Sequence, residues 1–415
     1  ATHAPLPDRN FSRDAGYSFY MMYMLQMLIL IVLTFTPLAA GAETLLSGSV
    51  ETRVVTVEEA DAGPLTVEVA DGLSLSDSGK KKKIDLEICY PRELQEGRSY
   101  PVVIVSHAAV ASGRDYRPLA AFWASHGYVC ILPTHDDALA TQIRPGQKVS
   151  VFKIASLHKV SSKELERRSS DLDTVLASLD LLADGLPGLR QKTDTQRVAL
   201  VGHLDGARSA ETLASQCRDE RLKAVISITG RPARSPEHRS FDFAKIDKPM
   251  MVLDIAAENS GAEKNRQKIS NALASRQDKE GLLVSVDLNR AVIPRPSFSQ
   301  MRKALRGSNL SLSPVQLPRF GKRRARQNTA REEQGIRVSP VDGAEMPGDN
   351  LLSVLGIGKG AFESAGRKER INYVMSLTLP FLDAHLKDSP EALTRLSEPD
   401  AHKFGPYVTT VVQRF

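Results

Sequence analysis

The sequence predicts an α/β protein: a doubly wound, mainly parallel sheet with helices on both faces. Three observations carry that expectation. From residue 80 onward, short apolar runs alternate with stretches of helical periodicity. Several of those runs are apolar on both faces, as strands covered from both sides must be. One run, Arg197 to Val201, closes on Gly202-His203-Leu204-Asp205-Gly206 and leads at once into the helix-compatible stretch Arg208 to Ala214. A strand, a sharp turn and a helix are thus written in under twenty residues.

Taken in order, residues 1–42 form an upstream segment. No charge occurs from Tyr17 to Ala42, and Leu25 to Leu33 is strongly apolar. Pro37 and the small residues Ala40-Gly41-Ala42 follow, so the 22 residues from Met21 have the make-up of a secretory signal. The same span is long enough to be an uncleaved membrane anchor. The expectation is an exported protein (periplasmic, extracellular or envelope-associated), with membrane anchoring as the alternative. Residues 43–79 read as a β-rich lead-in, either an edge hairpin or a loose approach. Lys80 to Lys83 reads as a solvated turn.

The main domain is expected over residues 80–397. Ile84 to Pro91 alternates and stops at proline, as a half-buried strand does. Pro101 to His107 and Tyr128 to Pro133 read as buried strands flanking a helix over Tyr116–His126 that Gly127 caps. One helix is expected from about Ser162 to Ala183, with Leu165, Leu172, Val175, Leu176, Leu179 and Leu182 on a single stripe. Buried strands follow at 223–229, 249–255 and 281–287, with a helix at about 262–275 before the last. A terminal helix covers Arg370 to Lys387 around Pro380, and residues 398–415 form a tail.

An apolar share of 41% with 25% charged residues is ordinary globular material. The net charge of +6 is not evenly spread: residues 295–337 carry eleven Lys/Arg against Glu332 and Glu333. That segment lies within an irregular basic insertion at about 290–350, which reads as a mobile loop or lid. Arg319 to Arg331 offers a surface for an anionic polymer, headgroup or acidic protein. Phe320 is the sole aromatic residue in its basic centre, so no stacking platform for nucleic acid is visible. Cys89, Cys130 and Cys217 are too few for a disulfide framework and read as core thiols. No cofactor is expected. No metal is expected either, because three consecutive ligands such as His135-Asp136-Asp137 rarely converge on one ion.

With these pieces in order, the chain resembles the α/β-hydrolases of the dienelactone hydrolase and platelet-activating-factor acetylhydrolase type. The residues that carry the resemblance are Pro101–His107, Asp115–Leu119, Ala124–Val129, the Gly202–Gly206 turn and Phe381–Leu393. The resemblance implies an α/β-hydrolase fold and ester or lactone hydrolysis by a Ser–His–acid triad, with backbone N–H groups holding the oxyanion.

Three parts depart from that pattern. Leu204 stands at the nucleophile position, flanked by Gly202, His203, Asp205 and Gly206. The oxyanion turn after Ser106-His107 is Ala108-Ala109-Val110-Ala111-Ser112 where glycines are implied, which leaves the Asp205 N–H as the surviving donor. No histidine occurs between His238 and His385, and His385 falls inside the terminal helix. An acid remains at Glu258, with Asp254 as runner-up.

Substitutes for the lost groups are unconvincing in sequence. Asp205 sits one residue beyond the place of an attacking carboxylate. His107, His135 and His203 read as structural. Ser106, Ser112 and Ser209 have no expected base in reach. The sequence therefore points to a catalytically impaired hydrolase whose pocket takes an apolar or ester-like small molecule. An active hydrolase with an unusual nucleophile, or a binding protein using the basic insertion, are the alternatives.

Overall fold

A computed structural model of the chain describes residues 44–57, 62–77, 82–93, 97–109, 111–142, 148–149, 160–186, 188–190, 192–229, 243–257, 262–276, 280–288, 336–337, 367–397 and 408–414. The signal-like segment, Glu258 and nearly all of the basic insertion lie outside these residues.

The parallel centre of the sheet is β5 (Tyr100–Ser106), β6 (Val129–Thr134), β8 (Thr193–His203), β9 (Leu222–Thr229), β10 (Met250–Ala257) and β11 (Gly281–Leu288), in the order β6-β5-β8-β9-β10-β11. Its β6 edge is extended antiparallel by β4 (Lys82–Pro91), then β3 (Val67–Asp77), which pairs with both β1 (Thr44–Ser47) and β2 (Glu51–Val55). The lead-in is thus continuous with the central sheet, because β3 is long enough to pair along nearly all of β4. The tail supplies β13 (Val408–Arg414), antiparallel to β11. A separate two-residue ladder joins β7 (Lys148–Val149) to β12 (Ile336–Arg337).

Helices cover both faces. Alternate residues of the central strands divide the core in two, as a period of two requires. Val103, Val105 and Val201 pack with Phe122 and Trp123 of α1 (Arg117–Ser125) and with Phe381 and Leu382 of α7 (Arg367–Leu386). Val102, Ile104 and Leu200 pack on the other side with α3 (Ser162–Ala177), α4 (Leu179–Gly185), α5 (Asp205–Gln216) and α6 (Ala262–Ala274). Two short helices, α2 (Leu139–Gln142) and α8 (Thr394–Ser397), complete the set. The packing of α7 is fixed by two polar contacts: Trp123 Nε1–H donates to Thr378 Oγ1 at 3.2 Å in the core, and the Tyr128 hydroxyl donates to the part-buried Asp383 Oδ1 at 2.7 Å.

One expected helix is two. The stripe from Ser162 onward breaks at Ser178, whose hydroxyl donates to the Thr174 carbonyl at 2.7 Å, and the second piece continues as α4. The start of α3 is a capping box. Glu164 N–H donates to Ser161 Oγ at 3.2 Å, and Ser161 N–H donates to Glu164 Oε2 at 2.7 Å. Cys89 and Cys130 are buried free thiols and Cys217 is half-buried. Among the described residues no helix is long and apolar enough to cross a membrane.

Candidate functional site

The sharp turn lies at the C-terminal end of β8, in mid-sheet. Leu204 takes φ 53° and ψ −109°, its N–H donates to the Ile228 carbonyl at 2.9 Å, and α5 begins at the next residue. A leucine in this region costs about 1–3 kcal/mol, so the surrounding packing must enforce it. The two glycines show how. A Cβ on Gly202 would stand 2.3 Å from the Gly206 carbonyl oxygen, and one on Gly206 would stand 2.1 Å from that of Ser106. The turn is pressed against itself and against the end of β5, leaving the half-exposed Leu204 in the central place. Its side chain has neither a lone pair to attack with nor a proton to transfer.

The turn after β5 borders the elbow, and three of its described N–H groups already have an acceptor within the protein. Ala108 N–H donates to the Tyr116 hydroxyl oxygen at 3.0 Å, and that hydroxyl donates to His203 Nδ1 at 2.6 Å. Ala111 N–H donates to the Ala108 carbonyl at 3.2 Å, and Ser112 N–H donates to Asp115 Oδ2 at 2.7 Å. Among the described residues of this turn none has a positive φ, so alanine is unstrained there.

Arg168 of α3 fastens the turn from below. Its side chain is 3% exposed, donates from Nη1 to the His107 carbonyl at 2.6 Å, and forks onto Asp137 at 2.9 and 2.8 Å. Burial, opposed by Arg168 and Arg208, holds the Asp205 carboxyl above the ordinary carboxylate range.

The nearby imidazoles are neutral and engaged. His107 donates from Nδ1 to the Ala108 carbonyl at 2.7 Å and accepts from His135 N–H on Nε2 at 2.9 Å. Burial and the Arg168 charge keep both His107 and His135 well below the usual imidazole range, and burial brings His203 down to about 4. The expectation that no base reaches Ser106 is corrected. The Ser106 hydroxyl donates to His135 Nε2 at 3.0 Å, and His135 Nδ1–H donates to Asp171 Oδ2 at 2.9 Å. Asp171 also pairs with Lys82 Nζ at 2.5 Å, so Lys82 belongs to a buried network rather than to a solvated turn. Ser106, His135 and Asp171 are 0%, 1% and 3% exposed, which places this serine–histidine–aspartate series inside the core.

The remaining candidates are dispersed. Asp254, within β10, accepts from Thr229 Oγ1 and from Arg266 Nε, both at 2.8 Å. Asp136 and Asp137 diverge, one to Lys82 and the other to Arg168. Ser209 Oγ donates back to the Asp205 carbonyl. His385 lies 3.5 Å from Glu280, beside the first residue of β11. That is the N-terminal edge of the parallel sheet, whereas Leu204 is at the C-terminal edge, so His385 cannot serve the elbow. A cleft of about 550 Å³ also opens at that opposite edge, lined by Tyr100, His126, Arg197 and Lys387.

Sequence reading missed Tyr116, Arg168 and Asp171. For the last two a signal was present. Arg168 and Asp171 stand between Leu165 and Leu172 on the buried stripe of α3, where a charge needs a partner.

No family model matches the chain. It is 27% identical over 195 residues to Cutinase 1 of Thermobifida cellulosilytica, an overlap covering 47% of this chain and 60% of that protein. The chain thus spans less than two thirds of the relative it matches. The mostly parallel sheet wrapped by helices is an α/β fold, and the likeness to a cutinase connects it to the α/β-hydrolase superfamily.

Proposed function

We propose that this chain is an exported relative of the carboxylic-ester hydrolases, of the dienelactone hydrolase and platelet-activating-factor acetylhydrolase type, that has lost serine-triad catalysis. One observation carries the reading: Leu204 fills the centre of a strained, glycine-walled turn that serves to present a nucleophile. The bordering turn supports it, since its Ala108, Ala111 and Ser112 N–H groups are spent on the protein's own acceptors. Members of a triad act as a unit, so the loss of the nucleophile leaves only binding and electrostatics. In this reading the elbow keeps a binding role, with Leu204 offering an apolar contact suited to an apolar or ester-like small molecule. The basic stretch Arg319–Arg331 would add an anionic surface as partner, and residues 17–42 would direct export.

Purified full-length protein should take up no fluorophosphonate probe and should not hydrolyse p-nitrophenyl acetate or butyrate above the buffer rate. Stoichiometric labelling would overturn the reading. The Ser106–His135–Asp171 series favours a second one, a hydrolase working through Ser106. It requires ester turnover that Ser106→Ala abolishes and Leu204→Ala spares. The near-total burial of all three side chains weighs against it.

A further inference from the structure

We infer that Cys89 and Cys130 are a modification site, a thiol pair that a disulfide oxidant converts into a cross-strand bond. The register of the sheet places them. β4 and β6 run antiparallel through five residue pairs, from Asp85↔Thr134 to Cys89↔Cys130, so the two cysteines stand directly opposite each other at one end of that ladder. Opposed residues of an antiparallel pair share a face, and both cysteines pack in the half of the core that holds Phe122 and Trp123 of α1. Directly opposed residues have Cα atoms about 4.5–5.5 Å apart, inside the window of about 4.4–6.8 Å that a disulfide spans. Both requirements of the bond, Cα separation and Cβ atoms on one side, are therefore met without moving the backbone.

The position matters because this ladder is the joint of the sheet. Among the described residues, β1, β2 and β3 reach the parallel strands only through β4, and β4 meets the centre only along β6. A bond here would fasten the lead-in to the centre and close the chain around β5 and α1, which shrinks the freedom of the unfolded state. In the reaction, one cysteine thiolate attacks a sulfur of a small-molecule disulfide, giving a mixed disulfide and one free thiol. The second thiolate attacks the protein sulfur of that intermediate and expels the other half of the oxidant as a thiol. The two protons and two electrons given up by the cysteines end on the two released thiols.

The folded state shields the pair. Both cysteines are fully buried, and burial, followed by Glu87 and by Cys130 itself, pushes the Cys89 thiol well above its ordinary range; burial also raises Cys130. The exchange therefore belongs to folding, before α1 closes over the strands, or to a later opening. Cys217 is a control within the chain. It follows the last residue of α5 and packs half-buried against the opposite half of the core, so it has no place in the pair. The inference is independent of how the elbow is read, and the export proposed above would bring the chain into a compartment that supplies such an oxidant.

The test refolds the full chain from urea with a mixture of oxidised and reduced glutathione, or with dithiothreitol, then alkylates remaining thiols with iodoacetamide and digests with trypsin. After oxidative refolding, the peptides that begin at Ile84 and at Asp115 should appear as one linked species, lighter by two hydrogens than the separate pair. The oxidised protein should unfold roughly 5–15 °C above the dithiothreitol-treated form. Cys130→Ser should abolish both the linked species and the shift, while Cys217→Ser should keep both. Should Cys130→Ser fail to fold, the digest of the wild-type chain still decides. Alkylated Cys89 and Cys130 after oxidative refolding, a link from either to Cys217, or equal unfolding midpoints for the two forms would overturn the inference. None of these outcomes depends on whether the protein reacts with a fluorophosphonate.

Discussion

Replacing Asp171 with alanine should destabilise the protein far more than removing the serine at the other end of the same network. Asp171 is 3% exposed and accepts from Lys82 Nζ at 2.5 Å and from His135 Nδ1 at 2.9 Å. Its loss strands two donors. Among the described residues, the His135 Nδ1–H, in a side chain with no solvent exposure, keeps no acceptor, while Lys82, 20% exposed, retains only the surface carboxylate of Asp136 at 3.1 Å. Breaking a buried ion pair from one side costs about 3–5 kcal/mol, and partial exposure of Lys82 favours the lower half for the pair itself. The unsatisfied imidazole adds about 1–3 kcal/mol. The expected total is about 4–7 kcal/mol, a large part of the roughly 5–15 kcal/mol that holds such a domain together.

Ser106→Ala removes one hydrogen bond and should cost about 1 kcal/mol. Urea unfolding followed by fluorescence measures both, because the single tryptophan, Trp123, is fully buried. Adding Lys82→Met to Asp171→Ala should recover part of the loss, giving a coupling energy in a double-mutant cycle. Asp171→Ala within about 1 kcal/mol of wild type, at unchanged denaturant slope, would refute the reasoning.

Gly206→Ala should unfold the elbow region or cost about 3 kcal/mol, because its Cβ would meet two backbone oxygens, those of Ser106 at 2.1 Å and His107 at 2.6 Å. Thermal unfolding reads this, and an unshifted midpoint would show that the turn can open freely. Tyr116→Phe leaves Ala108 N–H without its acceptor and His203 Nδ1 without its donor, for about 2–4 kcal/mol by denaturant unfolding. Acidification should also destabilise the chain. His107, His135 and His203 have folded pKa values depressed by burial, so the unfolded chain binds more protons below its imidazole pKa near 6.5. Their stabilising contribution is present above that pH and is lost as pH falls, by about 1.4 kcal/mol each one unit below. Glu211, raised to about 7 by burial, works in the opposite sense and returns about 2 kcal/mol. A net loss of about 2 kcal/mol is expected between pH 7.5 and 5.5, and stability that rises on acidification would contradict the assignment.

Much of this molecule was legible as a string. The doubly apolar run at 101–106 became the central strand β5, fully buried along its length. The spacing of Gly202 and Gly206 located the elbow, and the apolar stripes of the helices at 162–185 and 367–386 were visible in advance. These signals are local. A strand repeats every two residues and a helix every 3.6, so a window of ten to twenty residues contains the whole pattern. Leu204 could likewise be placed by counting, and a leucine cannot attack an ester wherever it is folded.

What tertiary structure alone decided was partnership. Ser106, Asp171 and Lys82 lie on three different elements and His135 just follows a fourth, with successive partners 29, 36 and 89 positions apart. No periodicity relates such positions, because their contact depends on how strands order themselves in the sheet and which face each helix covers. The same holds for Tyr116 reaching Ala108 and His203. Side-chain type declares what a residue is able to donate or accept. Which groups it meets is set by packing between segments distant in the chain, and here that packing turned three histidines and a serine into parts of the scaffold.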